Sequence, residues 1–158
     1  MKSIIFLLLL SSIAFSQQIT VGTAYQLGKN GESIGASLSP EIITFNNRKV
    51  IFRLYGGYYL GSNWGYSNNV ESHSKYEFGF ESKNTMVTGE KFFNHISLGY
   101  GIQKNIFTEN NNKQSFNDNG WNFSFGFGTR LINPFSVIAK YVWGSEKGIR
   151  LVMEYDIF

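Results

Sequence analysis

The sequence predicts an all-β fold: a closed, antiparallel, up-and-down eight-stranded transmembrane β-barrel, following a leader that is removed. Three observations lead there. The final segment, 149–158, alternates strictly, with Ile149, Leu151, Met153, Tyr155 and Ile157 on one side and Arg150, Val152, Glu154 and Asp156 on the other. Side chains of a strand point alternately to opposite faces, and about ten residues is what a tilted strand needs to cross hydrocarbon. The same alternation recurs along the chain. Finally, aromatics make up 17% of the residues beside 17 glycines and only two prolines, and no amphipathic helical stretch follows residue 16; this is a β-rich signature.

The amino terminus has its own logic. Lys2, the apolar run Ile4 to Leu10 and the small residues Ala14 and Ser16 have the layout of a secretory signal peptide cleaved before Gln17. Seven strongly apolar residues fall far short of the roughly 20 that a spanning helix requires. The expected organisation is therefore a signal peptide over 1–16 and one barrel domain over 17–158. Removing the leader, with Lys2, leaves 142 residues and a net charge of about +2, too small an excess to imply nucleic acid. The absence of cysteine excludes a disulfide framework, a thiolate metal site, a thiol nucleophile and a lipoprotein anchor.

Strands are expected at about 18–27, 33–45, 50–60, 75–82, 91–103, 120–130, 135–143 and 149–158. The first presents Ile19, Val21, Tyr25 and Leu27 on one face. The second presents Ile34, Ala36, Leu38 and Ile42, but Pro40 lacks a ladder donor and marks a bulge or an unpaired edge. Val50, Phe52, Leu54, Tyr58 and Leu60 form the apolar face of the third, and Tyr76, Phe78 and Phe80 that of the fourth. The fifth has Ile96, Leu98, Tyr100 and Ile102, with Asn94 out of character. Trp121, Phe123, Phe125 and Phe127 of the sixth stand opposite Asn122, Ser124, Gly126 and Gly128. The seventh has Phe135, Val137, Ala139, Tyr141 and Trp143. In the five cleanest strands (first, third, fourth, sixth and last), 21 of 23 positions on this face are apolar or aromatic, so each strand separates two very different surroundings.

Connections agree with this order. The outer ones are expected at about 28–32, 61–74, 104–119 and 144–148, the inner ones at about 46–49, 83–90 and 131–134, so the two longest share one side, as in outer-membrane barrels. Asn30-Gly31 and Asn46-Asn47 suit tight turns because these residues tolerate positive φ, and Asn133-Pro134 is a turn starter. The Asn-rich stretch 109–119 reads as a solvated loop.

Alternation alone does not say which face is inside. An eight-stranded barrel has an interior only just wide enough for side chains, and four rings from one strand would crowd it. The expected lipid-facing set is therefore Phe78, Phe80, Trp121, Phe123, Phe125, Phe127, Tyr141, Leu151 and Tyr155. Trp121, Tyr76 and Trp143 fall near strand ends, where aromatic girdles sit. The lumen then receives Glu41, Arg53, Glu77, Glu81, Arg130, Lys140, Arg150, Glu154 and Asp156, a nearly balanced set able to pair rather than stand as isolated charges. This predicts a plugged lumen. The alternative is a soluble lipocalin-like calyx, periplasmic or secreted, with its apolar face turned inward around a lipophilic ligand. In hydrocarbon, backbone amides have no water partners, so the first and last strands must pair.

With these strands, and with Ser37-Leu38-Ser39-Pro40-Glu41 before a short turn and Leu54-Tyr55-Gly56-Gly57-Tyr58 after it, the chain resembles the small eight-stranded outer-membrane β-barrel proteins of the OmpA-transmembrane-domain and OmpX kind, and the porin-family-like barrels of Bacteroidota. The resemblance implies the outer membrane and its lipids as surroundings and insertion by the barrel assembly machinery, with the terminal strand, ending on a lipid-facing aromatic, as its signal; a monomer is expected. One departure is Phe158, out of phase with Tyr155 and Ile157.

Little chemistry is expected. His95-Ile96-Ser97 has the His-x-Ser spacing of barrel lipid A deacylases, a sound acyl-transfer arrangement, but Leu98 follows where that family continues with Asn. The phase also turns His95 and Ser97 into the lumen as a polar pair. His73 near Glu71 does not make a metal site. No catalytic set, cofactor or metal is expected. The predicted role is structural or surface-binding, through 61–74 and 104–119, with Trp64 and Tyr66 as contacts to an extracellular ligand or protein.

Overall fold

The computed structural model describes residues 18–28, 31–45, 50–62, 71–86, 91–109 and 112–157. Eight strands follow in chain order: β1 (Ile19–Gly28), β2 (Gly31–Phe45), β3 (Val50–Ser62), β4 (Ser72–Thr85), β5 (Phe92–Glu109), β6 (Asn112–Ile132), β7 (Phe135–Gly144) and β8 (Gly148–Ile157). Each pairs antiparallel with the next, and the sheet closes on itself. The closing ladder of β1 with β8 runs from Ile19–Ile157 to Gly28–Gly148, ten residues long. No helix among the described residues is long and apolar enough to cross a membrane.

Two irregularities lie at the inner end. Pro40 pairs with Ile19 on β1, while the ladder of β2 with β3 shifts register between Glu41 and Ile43, so the extra residue is Ile42. Proline has no N–H to donate to a ladder, the pairing with β3 skips Ser39 and Pro40, and the bulge beside them re-aims the strand. The second shift falls between Arg130 and Ile132 in the ladder with β7, just before the cis peptide bond at Asn133-Pro134. At the outer end Gly144 adopts φ +126°, a conformation side chains rarely allow, and the chain leaves β7 there toward Ser145.

The largest departure from expectation is the region 104–119. It is not a loop: β5 continues to Glu109 and β6 begins at Asn112, their ladder reaching Glu109–Asn112. The side chains of 112–119 are all exposed. On the β6 arm, 112–119, neither face is buried, so nothing selects apolar residues on one side; on the β5 arm the one buried side chain is the polar Asn105, and the alternation that marks the other strands is absent. Likewise 61–74 shortens, because β3 reaches Ser62 and β4 starts at Ser72.

The interior also corrects the simple rule that large residues face out and small ones in. Tyr55, Tyr59 and Phe93 are buried inside. Inward glycines make the space: a Cβ at Gly35 or Gly57 would meet the Tyr59 ring, one at Gly99 the Tyr55 hydroxyl, and one at Gly128 the Phe93 ring. A narrow tube accepts a ring where the facing strand gives up its side chain.

Candidate functional site

The inward residues of the barrel gather into two charged layers. The outer layer centres on Arg150 of β8, which is 1% exposed. Its guanidinium donates two parallel bonds to Glu77 of β4, at 3.0 and 2.9 Å, the bidentate geometry that makes Arg–carboxylate pairs strong. Its Nε donates to Gln26 of β1 at 2.7 Å. The Tyr55 hydroxyl donates to Glu77 at 2.8 Å, and the Arg150 guanidinium stacks 4.8 Å from the Tyr59 ring centroid. Lys75 pairs with Glu77 and Glu146. Glu146 belongs to the short connection between β7 and β8, yet it is buried: its backbone N–H donates to Asn122 at 3.0 Å, and its carboxylate accepts from Gln26 at 2.7 Å.

The inner layer centres on Arg53 of β3, also 1% exposed. Its guanidinium lies 3.5 Å from Glu154 and 3.4 Å from Asp156, both on β8, and 4.0 Å from Glu81 on β4. Lys83 Nζ is 3.1 Å from Glu154 and 3.3 Å from the Ser136 hydroxyl, and sits 4.1 Å from the centroid of the Phe93 ring. His95 Nε2 is 3.1 Å from Glu81 Oε2. Thr20 donates to Asp156 at 2.6 Å, and Glu41 accepts from the Thr44 hydroxyl.

Of the lumen set read from the sequence, Glu77 and Arg150 thus meet in the outer layer, and Arg53, Glu81, Glu154 and Asp156 in the inner one. Glu41 is buried beside them as the register partner of Arg53. Lys140 is buried at the level of Arg150, its neighbour on β8. Arg130 is half-buried at the inner rim and takes no part in the ion pairs among the described residues. The participants outside that set include four that carry much of the pairing, Lys75, Gln26, Lys83 and Glu146. Lys75 and Gln26 share the inward phase of their strands, a signal that was available. Lys83 fell in an expected connection that is strand, and Glu146 lies in a connection, where alternation says nothing.

His95 and Ser97 both lie inside, but they have different partners: the imidazole meets Glu81, and the Ser97 hydroxyl lies 2.6 Å from that of Ser124. The described bonds do not join base to nucleophile.

The outer wall is apolar. Trp121 is 64% exposed, Phe80 62% and Phe127 55%; Phe123, Leu151 and Tyr155 are exposed too. Phe78, Phe125 and Tyr141 are half-covered by neighbouring rings, as in the edge-to-face contact of Phe125 with Phe127 at 5.0 Å and of Tyr141 with Trp143 at 4.5 Å. Trp64 and Tyr66 lie outside the described residues, as do the leader 1–16 and Phe158.

No family model and no curated protein matches the chain. Solved structures do. The N-terminal β-barrel domain of Pseudomonas aeruginosa OprF superimposes with a TM-score of 0.66 at 11% identity, covering 90% of this chain and 98% of that one. Ail, the attachment invasion locus protein of Yersinia pestis, gives 0.59 at 16% identity over 89% and 97%. Neisserial surface protein A gives 0.50 at 11% identity over 89% and 94%. What the chain has in common with them is a fold: the closed eight-stranded antiparallel barrel of small outer-membrane proteins.

Proposed function

We propose that this chain is an integral outer-membrane barrel, exported by a leader removed before Gln17 and inserted by the barrel assembly machinery as a monomer. Its role is structural or surface-binding, without catalysis. The observation that carries this reading is the radial order of the molecule: a wall of exposed rings and aliphatic side chains outside, ion pairs within. Exposed apolar surface of that extent is a liability in water and the required surface in acyl chains. The rival calyx needs an apolar lumen for a lipophilic ligand, and this lumen holds Arg53, Lys75, Lys83 and Arg150 with their carboxylates. Those ion pairs cross the tube from β8 to β3 and β4, which supports a plugged lumen rather than an open pore.

Surface binding falls to the outer end. The β5–β6 ribbon rises beyond its neighbours: β4 stops pairing at Ser72–Ile106 and β7 at Gly144–Asn122. From Asn112 to Gly120, β6 pairs with β5 alone among the described strands, leaving a row of backbone donors and acceptors on its other edge, which ends where Ser145 N–H donates to the Trp121 carbonyl at 3.1 Å. Such an edge accepts an added extended strand. The barrel of Yersinia pestis carries attachment and invasion in its name, a surface role in keeping with this reading.

Fractionation tests the location. The full-length protein is expected in the outer-membrane pellet, released only by detergent, with heat-dependent migration on a gel. Recovery in the soluble periplasmic fraction would favour the calyx. The deacylase reading needs lipid A to lose an acyl chain on expression of the protein, and that loss to vanish with Ser97→Ala; unchanged lipid A by mass spectrometry retires it.

A further inference from the structure

The inner layer holds a group that ion pairing leaves incomplete. Glu81, His95 and Glu154 come from β4, β5 and β8, are all buried, and bring one carboxylate oxygen or ring nitrogen each to within 4.8 Å of the others. Around a zinc ion, with bonds of about 2.1 Å, ligand atoms stand roughly 3.5 Å apart, so rotation of the two glutamate side chains brings the set to bonding distance. Two of its atoms, Glu81 Oε1 and His95 Nδ1, are buried without a hydrogen-bond partner, on residues 6% and 1% exposed. A buried polar atom without a hydrogen bond is costly, and Glu81 Oε1 has only the Arg53 guanidinium, 4.0 Å away.

Charge points the same way. The layer buries the carboxylates of Glu41, Glu81, Glu154 and Asp156 against Arg53 and Lys83, with Lys140 from the level above and the half-buried Arg130 at the rim, so the four acids are balanced only while Lys83 is among their partners. Once Lys83 swings away, the excess negative charge inside the narrow lumen is relieved by a bound proton or by a bound cation. One imidazole and two carboxylates form a donor set suited to a borderline divalent transition metal more than to calcium or magnesium, which take oxygen alone.

We propose that Glu81, His95 and Glu154 bind a divalent ion of the zinc type, and that Lys83 Nζ is the group the ion displaces. Lys83 reaches Glu154 on a flexible stem and has the Phe93 ring beside it as a second resting place. It therefore acts as an internal counter-ion that competes with the metal.

The test is zinc titration of the full-length, chelator-stripped barrel in detergent, by calorimetry and by competition with a chromogenic chelator. Heat-dependent gel migration checks that each variant is folded. One zinc ion per barrel is expected. His95→Ala should weaken binding at least about tenfold, while Lys83→Met should strengthen it by a comparable factor. Should His95→Ala fail to fold, Glu154→Gln takes its place. Calcium should not compete. Absence of zinc binding by the wild-type barrel, or binding unchanged in folded His95→Ala or Glu154→Gln, overturns the proposal. A protonated-carboxyl infrared band that persists with saturating zinc would identify the proton as the answer to the charge excess and overturn it as well.

Discussion

At the scale of single residues, the barrel tells its two sides apart by what a substitution would have to bury. Phe125 lies near the middle of β6 on the outer wall. Phe125→Arg should destabilise the barrel by about 2–4 kcal/mol if the wall meets lipid, measured by urea titration of folding into vesicles. Ser124→Ala, one residue away and inside, removes only the partner of Ser97 and should cost about 1 kcal/mol. Arg150 stands at the other extreme. Arg150→Met leaves Glu77 buried without its bidentate partner, at a cost of about 3–5 kcal/mol, and the double substitution Arg150→Met with Glu77→Gln should cost less than Arg150→Met alone. Gly99 offers a packing test: Gly99→Ala sets a methyl against the Tyr55 hydroxyl and should cost about 1–3 kcal/mol. Tyr55→Phe in the same chain should recover part of that loss, although alone it removes the bond to Glu77.

At the scale of strands, legibility in the sequence followed burial. Where one face is covered and the other is not, as in β6 from Trp121 to Phe127, the alternation set the phase of every side chain, and Arg53, Glu77, Glu81 and Arg150 could be turned inward by parity alone. Where both faces meet water, as in Asn112 to Asn119, the pattern had no reason to exist and the strand read as a loop. Parity also says nothing about which inward residue meets which across the tube: Arg150 and Glu77 are 73 residues apart in sequence, and their meeting depends on closure and stagger. Glu146 is the extreme case, a connection residue that folds into the lumen through Asn122. The one-sided ladder gives this scale its prediction. In hydrogen exchange of the reconstituted barrel, amides of 112–119 should exchange well before those of 122–129, which are paired on both sides. Equal protection would mean that the ribbon is covered along its edge.

At the scale of the whole molecule, the fold inverts the radial order of a water-soluble protein. The closed ladder of β1 with β8 removes the free edge that hydrocarbon cannot tolerate, the inward glycines admit three rings and the ion pairs, and the other aromatics among the described residues are left for the outside. The absence of cysteine allows this order to be read directly. With Phe125→Cys and Ser124→Cys each carrying a nitroxide label in lipid vesicles, collision with oxygen and with a water-soluble nickel chelate separates lipid from water. A label at 125 should be relaxed by oxygen and shielded from nickel, and a label at 124 shielded from both. Strong nickel relaxation at 125 would contradict this order.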